Sequence, residues 1–456
     1  MIPTGGTLLS ALPRLTALGL LLLVPALAAA YVAGSVWPGL MGYDSLLAFT
    51  ESAYGVTTVT WPPMHAYLLT LSGQFPMAPG SVIFLQVFAL GAGGVVVAFR
   101  LFRSTLQASL ASIVYLAALA LSPSVAGTLA VHWRDPLTAA FFALAAAAWI
   151  GPPGRPPWLG LVFGAAAATV CLSLRYNAFP VVVPLTCLMV YRVWRYTPAL
   201  SGRLAAILIL LAPYPLALAS VTWRLPDLQR MPRAQNISTT RLFDIVGVGA
   251  CSGKSFLPVA AGASVMTPPE ALQTVYSPVH ANQVMADLRG RGYSTKFSQG
   301  ELRAAWFDAV RADPLCFLSH RRLVLLAQVG ALKGDPFYVT HGGIDPNPFG
   351  FHLARPDLAA AYVTGVVERA QAYWNRPVVL LAGSLILMLL SFRAAPSRRL
   401  VKLALALGTI GFTGLLFLVS PAADARYIVP ALAAAALLAG ISAADLLPGR
   451  RSGAVK

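Results

Sequence analysis

Three short polar clusters interrupt a very apolar chain, and each contains an aspartate. Asp44 follows the first apolar run, Asp135 ends the cluster His132-Trp-Arg-Asp135, and Asp424 begins Asp424-Ala-Arg-Tyr427. A carboxylate without a basic neighbour can take a proton as a general base, and arginine binds phosphate groups through a planar fork of donors. These residue types predict acid–base chemistry on a substrate that carries a phosphate.

Eight side chains are the candidates for this chemistry. By expected role they are Asp44 and Asp135 for catalysis, Arg134, Arg175 and Arg426 for phosphate binding, and His65, His132 and Tyr427 for other substrate contacts. Simpler roles stay open, because aspartates cap helices, arginines reach toward lipid headgroups and histidines make structural hydrogen bonds. No cysteine or histidine spacing typical of a metal site occurs. No cofactor is therefore required, and a divalent cation is compatible with the chemistry but not indicated.

The composition excludes an ordinary soluble domain. Hydrophobic residues make up 57% of the 456 positions and charged residues 11%, and the mean hydropathy is +0.70. A net charge of +17 would suggest a nucleic-acid partner in a soluble protein. No basic helix or aromatic-basic surface accompanies the charge here, so no nucleic-acid binding is predicted.

Ten apolar runs are long enough to predict an all-α polytopic membrane protein with about ten transmembrane helices. They cover residues 15–36, 79–99, 106–128, 137–151, 157–174, 178–194, 204–222, 376–393, 401–419 and 428–446. Residues 1–222 then form an N-terminal membrane module with seven spans, and residues 376–456 a C-terminal module with three. Residues 223–375 lie between the two modules and are here called the outer segment. This segment is long enough for an extracytoplasmic domain.

The charges give this arrangement an orientation. With both termini in the cytoplasm, 15 of the 16 acidic residues fall outside and only Asp445 falls inside. The inner loops and tails hold 14 of the 33 Lys and Arg, as the positive-inside rule requires, whereas the short outer loops hold only Arg134, Arg175 and Arg426. Ionisable groups at a membrane edge are usually functional, so the polar site is expected on the outer face.

The first outer loop, residues 37–78, contains no Lys or Arg. Its pattern predicts an amphipathic interfacial helix starting at Asp44, an aromatic turn at Trp61-Pro-Pro63 and a second interfacial helix over 66–71. Asp44 is therefore expected to be unpaired, with a pKa raised modestly by partial desolvation.

The outer segment shows two helical stretches, residues 298–310 and 316–332. It also contains two of the four cysteines, Cys251 and Cys316. An oxidising compartment would allow these two to pair, and the sequence leaves open whether they do.

In layout, most of the chain resembles the extracytoplasmic glycosyltransferases of the GT-C superfold. The resemblance rests on Gly42-Tyr-Asp-Ser45, Trp61-Pro-Pro63, Arg175-Tyr-Asn177 and Asp424-Ala-Arg-Tyr427, together with the His132–Asp135 cluster between two spans. It is strongest to uncharacterised bacterial members. The chain is similar more distantly to protein O-mannosyltransferases and to the lipid A aminoarabinose transferase.

The resemblance implies transfer of a sugar from a polyprenyl phosphate to an envelope glycan, lipid or protein at the outer face of a bacterial plasma membrane. It places Asp44 at the family's catalytic carboxylate and Asp135 at the acidic position of the second outer loop. Two departures stand out: the first loop has no adjacent Asp-Glu pair, and the chain has no Asp-x-Asp motif. A transporter or lipid flippase, or a non-catalytic assembly factor, remains the alternative.

Overall fold

The computed structural model describes residues 5–58, 62–74, 77–152, 154, 156–222, 229–231, 236–258, 267–332, 338–392 and 396–447. Up to residue 222 the elements are α1 (Gly5–Ser35), α2 (Tyr43–Tyr54), β1 (Val56–Thr58), α3 (Met64–Ser72), α4 (Gly80–Leu101), α5 (Thr105–Leu121), α6 (Pro123–Leu129), α7 (Arg134–Trp149), α8 (Trp158–Leu174), α9 (Phe179–Tyr196), α10 (Leu200–Leu211) and α11 (Pro213–Thr222). The outer segment contains β2 (Gln229–Met231), α12 (Asn236–Ser252), α13 (Pro269–Val275), α14 (Ala281–Gly290), α15 (Gln299–Ala312), α16 (Pro314–Gln328) and α17 (Pro356–Gln371). The C-terminal elements are α18 (Pro377–Leu390), α19 (Pro396–Val419) and α20 (Val429–Leu446). Short 3-10 helices lie at Tyr176–Ala178, Tyr373–Asn375 and Ala425–Ile428.

The chain is an all-α membrane protein apart from one small pairing, in which β1 and β2 run parallel over three residues each. In the described ranges six helices are long and apolar enough to cross a membrane. They are Leu12–Ser35, Gly80–Leu101, Tyr176–Tyr196, Leu200–Ser220, Pro396–Val419 and Ala425–Leu446. The pair α5 and α6 would make a seventh, bent by 77° at its break.

Every predicted span coincides with helix, but three of these helices are short. Helices α7, α8 and α18 have 16, 17 and 14 residues, against about 20 for a helix that crosses the hydrocarbon core without thinning it. The count of ten spans therefore stays a prediction. The terminal tails, on which the predicted cytoplasmic termini partly rest, lie outside the described residues.

Helix α20 is the centre of the bundle. Alanine and leucine make up 12 of its 18 residues, and nearly all of the helix is buried. Small residues let neighbouring helices approach closely. A Cβ on Gly440 would lie 2.4 Å from the backbone oxygen of Ala111 in α5, so that contact depends on glycine. Because Arg426 directly precedes this central helix, it is held in the middle of one end of the bundle, here called the polar end.

Helices α12–α16 bury a second core of their own, built around side chains such as Phe243, Val246 and Leu288. The predicted helix 298–310 is α15, which begins with a capping box between Ser298 and Glu301. The predicted helix 316–332 is α16, which starts and ends earlier than expected. Cys251 on α12 and Cys316 on α16 are paired and form a disulfide.

Helix α17 belongs to a different core from the one that helices α12–α16 build. Val366 and Tyr362 are buried with the membrane helices, and the Tyr362 hydroxyl donates to the Ala126 carbonyl on α6 at 2.7 Å. The outer segment is therefore attached to the bundle along its C-terminal part as well as through its two connections.

Candidate active site at the polar end

Backbone pairing brings three distant parts of the chain together at the polar end. Leu40 N donates to the Ala130 carbonyl at 2.9 Å, and His132 N donates back to the Leu40 carbonyl at 3.0 Å. On the other side, Met41 N donates to the Gly343 carbonyl and Asp345 N to the Met41 carbonyl, both at 2.9 Å. The first outer loop thus lies between the second outer loop and residues 338–345, here called the strap.

One glycine makes the first of these approaches possible. Gly39 has φ +120°, and a Cβ there would lie 2.4 Å from the Nε2 atom of His132. That same His132 Nε2–H donates to the Pro38 carbonyl at 2.8 Å. The histidine therefore fixes the loop just before Asp44.

Asp44 lies in the first turn of α2. Its carboxylate forms an ion pair with the Arg426 guanidinium, with 2.7 Å between the oxygen and the nitrogen. The prediction that Asp44 is unpaired is wrong, because a loop without basic residues can still meet an arginine from the far end of the chain. Burial raises the pKa of Asp44. The positive charges of Arg426, and then of Arg134 and Arg175, lower this pKa by more than burial raises it, so the net pKa lies below its ordinary value. The expected modest rise in this pKa is therefore wrong as well.

Neither catalytic candidate is a helix cap. The cap positions of α2 and α7 are Gly42 and Trp133, and neither helix has a side-chain cap hydrogen bond. Asp44 and Asp135 instead lie inside the first turns, where a negative charge interacts favourably with the helix dipole. Their carboxylates are directed to arginines rather than to the helix backbone.

Arg426 is shared between two carboxylates. Its Nε atom lies 2.8 Å from Asp424, whose other oxygen accepts from the Arg426 backbone N–H at 3.1 Å. The guanidinium carbon is also 4.6 Å from the centre of the Trp133 ring and 5.1 Å from that of Tyr427. Burial raises the pKa of Asp424 more than the neighbouring Arg426 lowers it. Arg426 is thus held in a fixed position by two charges and two aromatic rings.

A second ion pair lies beside the first. Arg175 Nε is 2.5 Å from an Asp135 oxygen, and the Asp135 side chain is almost fully buried. The Arg175 guanidinium carbon is 4.6 Å from the centre of the Tyr427 ring, so this ring contacts both arginines. Cation–π contacts of this kind orient a guanidinium without neutralising its charge.

The two histidine candidates are buried and neutral. Burial, with smaller contributions from Arg134 and His132, lowers the pKa of His65 to about 3, and burial lowers the pKa of His132 to about 4 despite its bond to Pro38. Within the described part of the chain, His65 Nε2 and His132 Nδ1 have no hydrogen-bond partner. Buried polar atoms of this kind usually have a partner, so both are available to a ligand.

Six of the eight candidates line one small inner pocket with Glu51 and Trp133: Asp44, His65, His132, Arg134, Asp135 and Arg426. Its cavity of about 20 Å³ has room for about one water molecule. Arg175 and Tyr427, the other two candidates, contact Asp135 and Arg426 from outside that lining. All eight candidates therefore meet at the polar end, although Trp61 of the predicted aromatic turn lies outside the described residues.

A larger cleft of about 540 Å³ adjoins the inner pocket and shares Asp44, Trp133 and Arg426 with it. Its other walls come from the strap, from the start of α14 and from the turn at 422–424. This volume lies within the range of small-molecule binding sites, whereas that of the inner pocket does not.

The sequence reasoning missed several residues of this site. Glu51 is 3% exposed and lines the inner pocket beside Asp44, seven positions earlier on α2. That spacing places both carboxylates on one helix face, a signal that could have identified Glu51. Asp424 is one of the three aspartates singled out in the sequence, but it is not among the eight candidates. Nothing local in the sequence indicates that Tyr338, His341 and Asp345 face the site.

The described ranges contain no group of three or more His, Cys, Asp or Glu side chains that could hold a metal ion. The carboxylates at the polar end are directed to guanidinium groups instead.

No family model matches the chain. No curated protein and no solved structure matches it either. The site's own residues therefore carry the functional assignment.

Proposed function

We propose that the protein is an integral membrane glycosyltransferase of the GT-C type. In this proposal it crosses a bacterial plasma membrane ten times, with both termini in the cytoplasm and the polar end outside. It moves a sugar from a polyprenyl phosphate to an acceptor in the cell envelope. The observation that carries the proposal is the joint placement of Asp44 and three arginines at one end of an apolar helix bundle, next to a cleft of ligand size.

The donor phosphate binds by exchange. Arg426 and Arg175 each face a carboxylate, so an incoming phosphate takes a guanidinium from one of them. Asp44 is the partner that gives way at Arg426, because Asp424 holds the same guanidinium through its Nε atom and also bonds its backbone. Arg134, which lines the inner pocket, adds a third positive charge.

This exchange also prepares the base. While Asp44 faces Arg426, its pKa is low and it is a poor proton acceptor. Once the phosphate neutralises Arg426, burial becomes the dominant influence on Asp44 and its proton affinity rises. The carboxylate is therefore activated only when the donor is present.

The transfer then follows a single displacement. The acceptor oxygen attacks the anomeric carbon, the bond from that carbon to the phosphate oxygen breaks, and the acceptor proton passes to Asp44. Polyprenyl phosphate leaves with the bonding electrons, and Arg426, Arg175 and Arg134 stabilise the added charge on its oxygens. Asp135 keeps Arg175 oriented, and neutral His65 and His132 offer hydrogen bonds to sugar hydroxyls. The configuration at the anomeric carbon is inverted.

The lipid tail of the donor needs an apolar surface beside these arginines. Phe179, four positions after Arg175 at the start of α9, is 47% exposed. Leu407 and Ile410 on α19, which packs against α9, are exposed as well. The donor phosphate and its tail can therefore occupy the positions that their chemistry requires.

The experiment uses the purified protein reconstituted in sealed lipid vesicles with a panel of radiolabelled polyprenyl-phosphate sugars. We expect one donor to be consumed, with label transferred to an envelope extract and free polyprenyl phosphate released. Labelled donor that crosses the bilayer intact, without cleavage, would instead support the flippase alternative. Intact donor on both sides under all acceptor conditions would refute the transferase proposal.

A further inference from the structure

The side chains that line the 540 Å³ cleft bear on which class of ligand it binds. It opens between the start of α2, the strap, the start of α14 and the turn at 422–424, and it reaches Asp44 at its inner end. The inference below rests on the proposed function, because it concerns the acceptor of the same reaction. Three features of the cleft walls bear on that acceptor.

The first feature is two exposed aromatic rings. Tyr43 is 73% exposed at the start of α2 and Tyr338 is 46% exposed on the strap. Both rings line the cleft. An aromatic face packs well against the C–H face of a pyranose ring while the phenol hydroxyl stays in water.

The second feature is a set of hydrogen-bonding polar groups on opposite walls. His280, Asn282 and Gln283 come from the start of α14. Across the cleft, the ring of His341 is fixed between the Tyr338 hydroxyl at 3.0 Å and the Asp345 carboxylate at 3.2 Å. Amide side chains both donate and accept hydrogen bonds, as sugar hydroxyls do.

The third feature is the balance of charge. The carboxylate and guanidinium side chains of the lining are Asp44, Asp345, Asp424 and Arg426. The single guanidinium is already shared by two of these carboxylates. Three carboxylates against one guanidinium leave this lining acidic, so an anionic acceptor would meet groups of like charge, which is costly.

We propose that this cleft is the acceptor site and that its ligand is an uncharged carbohydrate. The sugar rings stack on Tyr43 and Tyr338, and their hydroxyls bond to Asn282, Gln283 and His341. One hydroxyl reaches the inner end of the cleft, where it lies beside Asp44. Acidic glycans and anionic phospholipids are the excluded acceptors.

The first experiment measures steady-state transfer to three acceptors of matched size: a neutral oligosaccharide, one containing uronic acids, and a peptide rich in serine and threonine. The donor is the labelled polyprenyl-phosphate sugar identified for the wild-type protein. We expect the neutral oligosaccharide to have the highest kcat/KM, by about tenfold or more. Preference for the acidic oligosaccharide or for the peptide would overturn the proposal.

The second experiment uses the double variant Asn282→Ala, Gln283→Ala and the single variant Tyr43→Ala. We expect KM for the neutral acceptor to rise about tenfold in each, with a smaller change in kcat. The matched controls are Gln273→Ala on α13 and Tyr54→Ala at the other end of α2. Both side chains are exposed and lie outside the cleft, and both variants should keep the wild-type KM.

The charge argument has its own variant. Asp345→Asn keeps a hydrogen-bond acceptor for His341 but removes a negative charge, so the preference for neutral over acidic acceptors should shrink several-fold. An unchanged KM in the α14 and Tyr43 variants, with normal transfer by the wild type, would refute the acceptor cleft alone. Absence of any donor cleavage by the wild type would refute the proposed function instead.

Discussion

The two carboxylates that share Arg426 have opposite electrostatic character. Asp44 is held below its ordinary pKa by three arginines, whereas burial holds Asp424 above it. Asp424 also fixes the Arg426 backbone, which Asp44 does not. At the scale of single residues, Asp44 is therefore suited to be the mobile partner and Asp424 the fixed one.

Asp44→Asn should remove the general base while keeping the size of the side chain. Transfer should fall by at least about 100-fold, the lower range for loss of such a group, while donor binding remains. The control is Asp308→Asn, an exposed acid on α15, which should transfer normally. Normal turnover by Asp44→Asn would move the role of base to Asp135 or to Glu51, the other carboxylates of the inner pocket.

The pH dependence should report the exchange at Arg426. Activity requires deprotonated Asp44, so it is lost as the pH falls through the pKa of this carboxyl group. The ratio kcat/KM reports the free enzyme, in which this pKa is lowered, so kcat/KM should stay constant down to below about pH 4. The limb in kcat, which reports the donor complex, should lie at higher pH. In Arg426→Gln the kcat/KM limb should also move up, because burial then acts without its opposing charge. Superimposable limbs in all three profiles would exclude the exchange.

Lysine in place of Arg175 or Arg426 keeps the charge but loses the Nε donor and the planar stack on Tyr427. Donor affinity should fall about tenfold or more in each variant, measured by binding of labelled donor to protein in nanodiscs. Arg303→Lys, an exposed arginine on α15, is the control. Wild-type affinity in both variants would remove these arginines from the donor site.

At the scale of elements, the polar end is built by three helices, and the sequence alone does not show which helix lies at the centre of the bundle. Helix α20 places Arg426, α2 places Asp44 and α7 places Asp135, and each side chain lies in the first turn or immediately before its helix. The outer segment adds the strap and the start of α14. Its own core and disulfide keep the far wall of the cleft in position.

Removing this disulfide should loosen the outer segment. The bond between Cys251 and Cys316 closes a loop with a sequence separation of 65, and opening such a loop costs on the order of 4 kcal/mol in the chain-entropy account. The double variant Cys251→Ser, Cys316→Ser should therefore be cleaved faster by trypsin within residues 289–311. Cys187→Ser, which replaces a free cysteine, should be cleaved at the wild-type rate. Equal rates in all three proteins would show that the segment is held by its core and by α17 alone.

At the scale of the whole molecule, the orientation in the membrane decides which compartment supplies the substrates. Lys296→Cys on the outer segment should react with an impermeant thiol reagent in intact cells, whereas Ser397→Cys at the start of α19 should react only after permeabilisation. Both are introduced after Cys171 and Cys187 have been replaced by serine. The reverse labelling would overturn the orientation and place the polar end in the cytoplasm.

The sequence by itself determined the membrane class, the position of the apolar helices and the residue types of the site. These follow from local free energies: the cost of placing each segment in hydrocarbon, and the bias of positive charge toward the cytoplasm. The eight candidates also followed from the sequence, because ionisable groups are costly at a membrane edge and therefore stand out. Their roles remain predictions.

Only the tertiary structure decided which charges meet. Nothing near Asp44 in the sequence is basic, yet Arg426 faces it because α20 packs at the centre of the bundle and α2 lies across the same end. That packing depends on contacts such as Gly440 against α5. The strap is held at the site by backbone pairing with Met41 and by the Thr340 hydroxyl, which donates to the Gly127 carbonyl. Pairing of distant side chains is set by how helices fit together, and hydropathy along a chain contains no term for that fit.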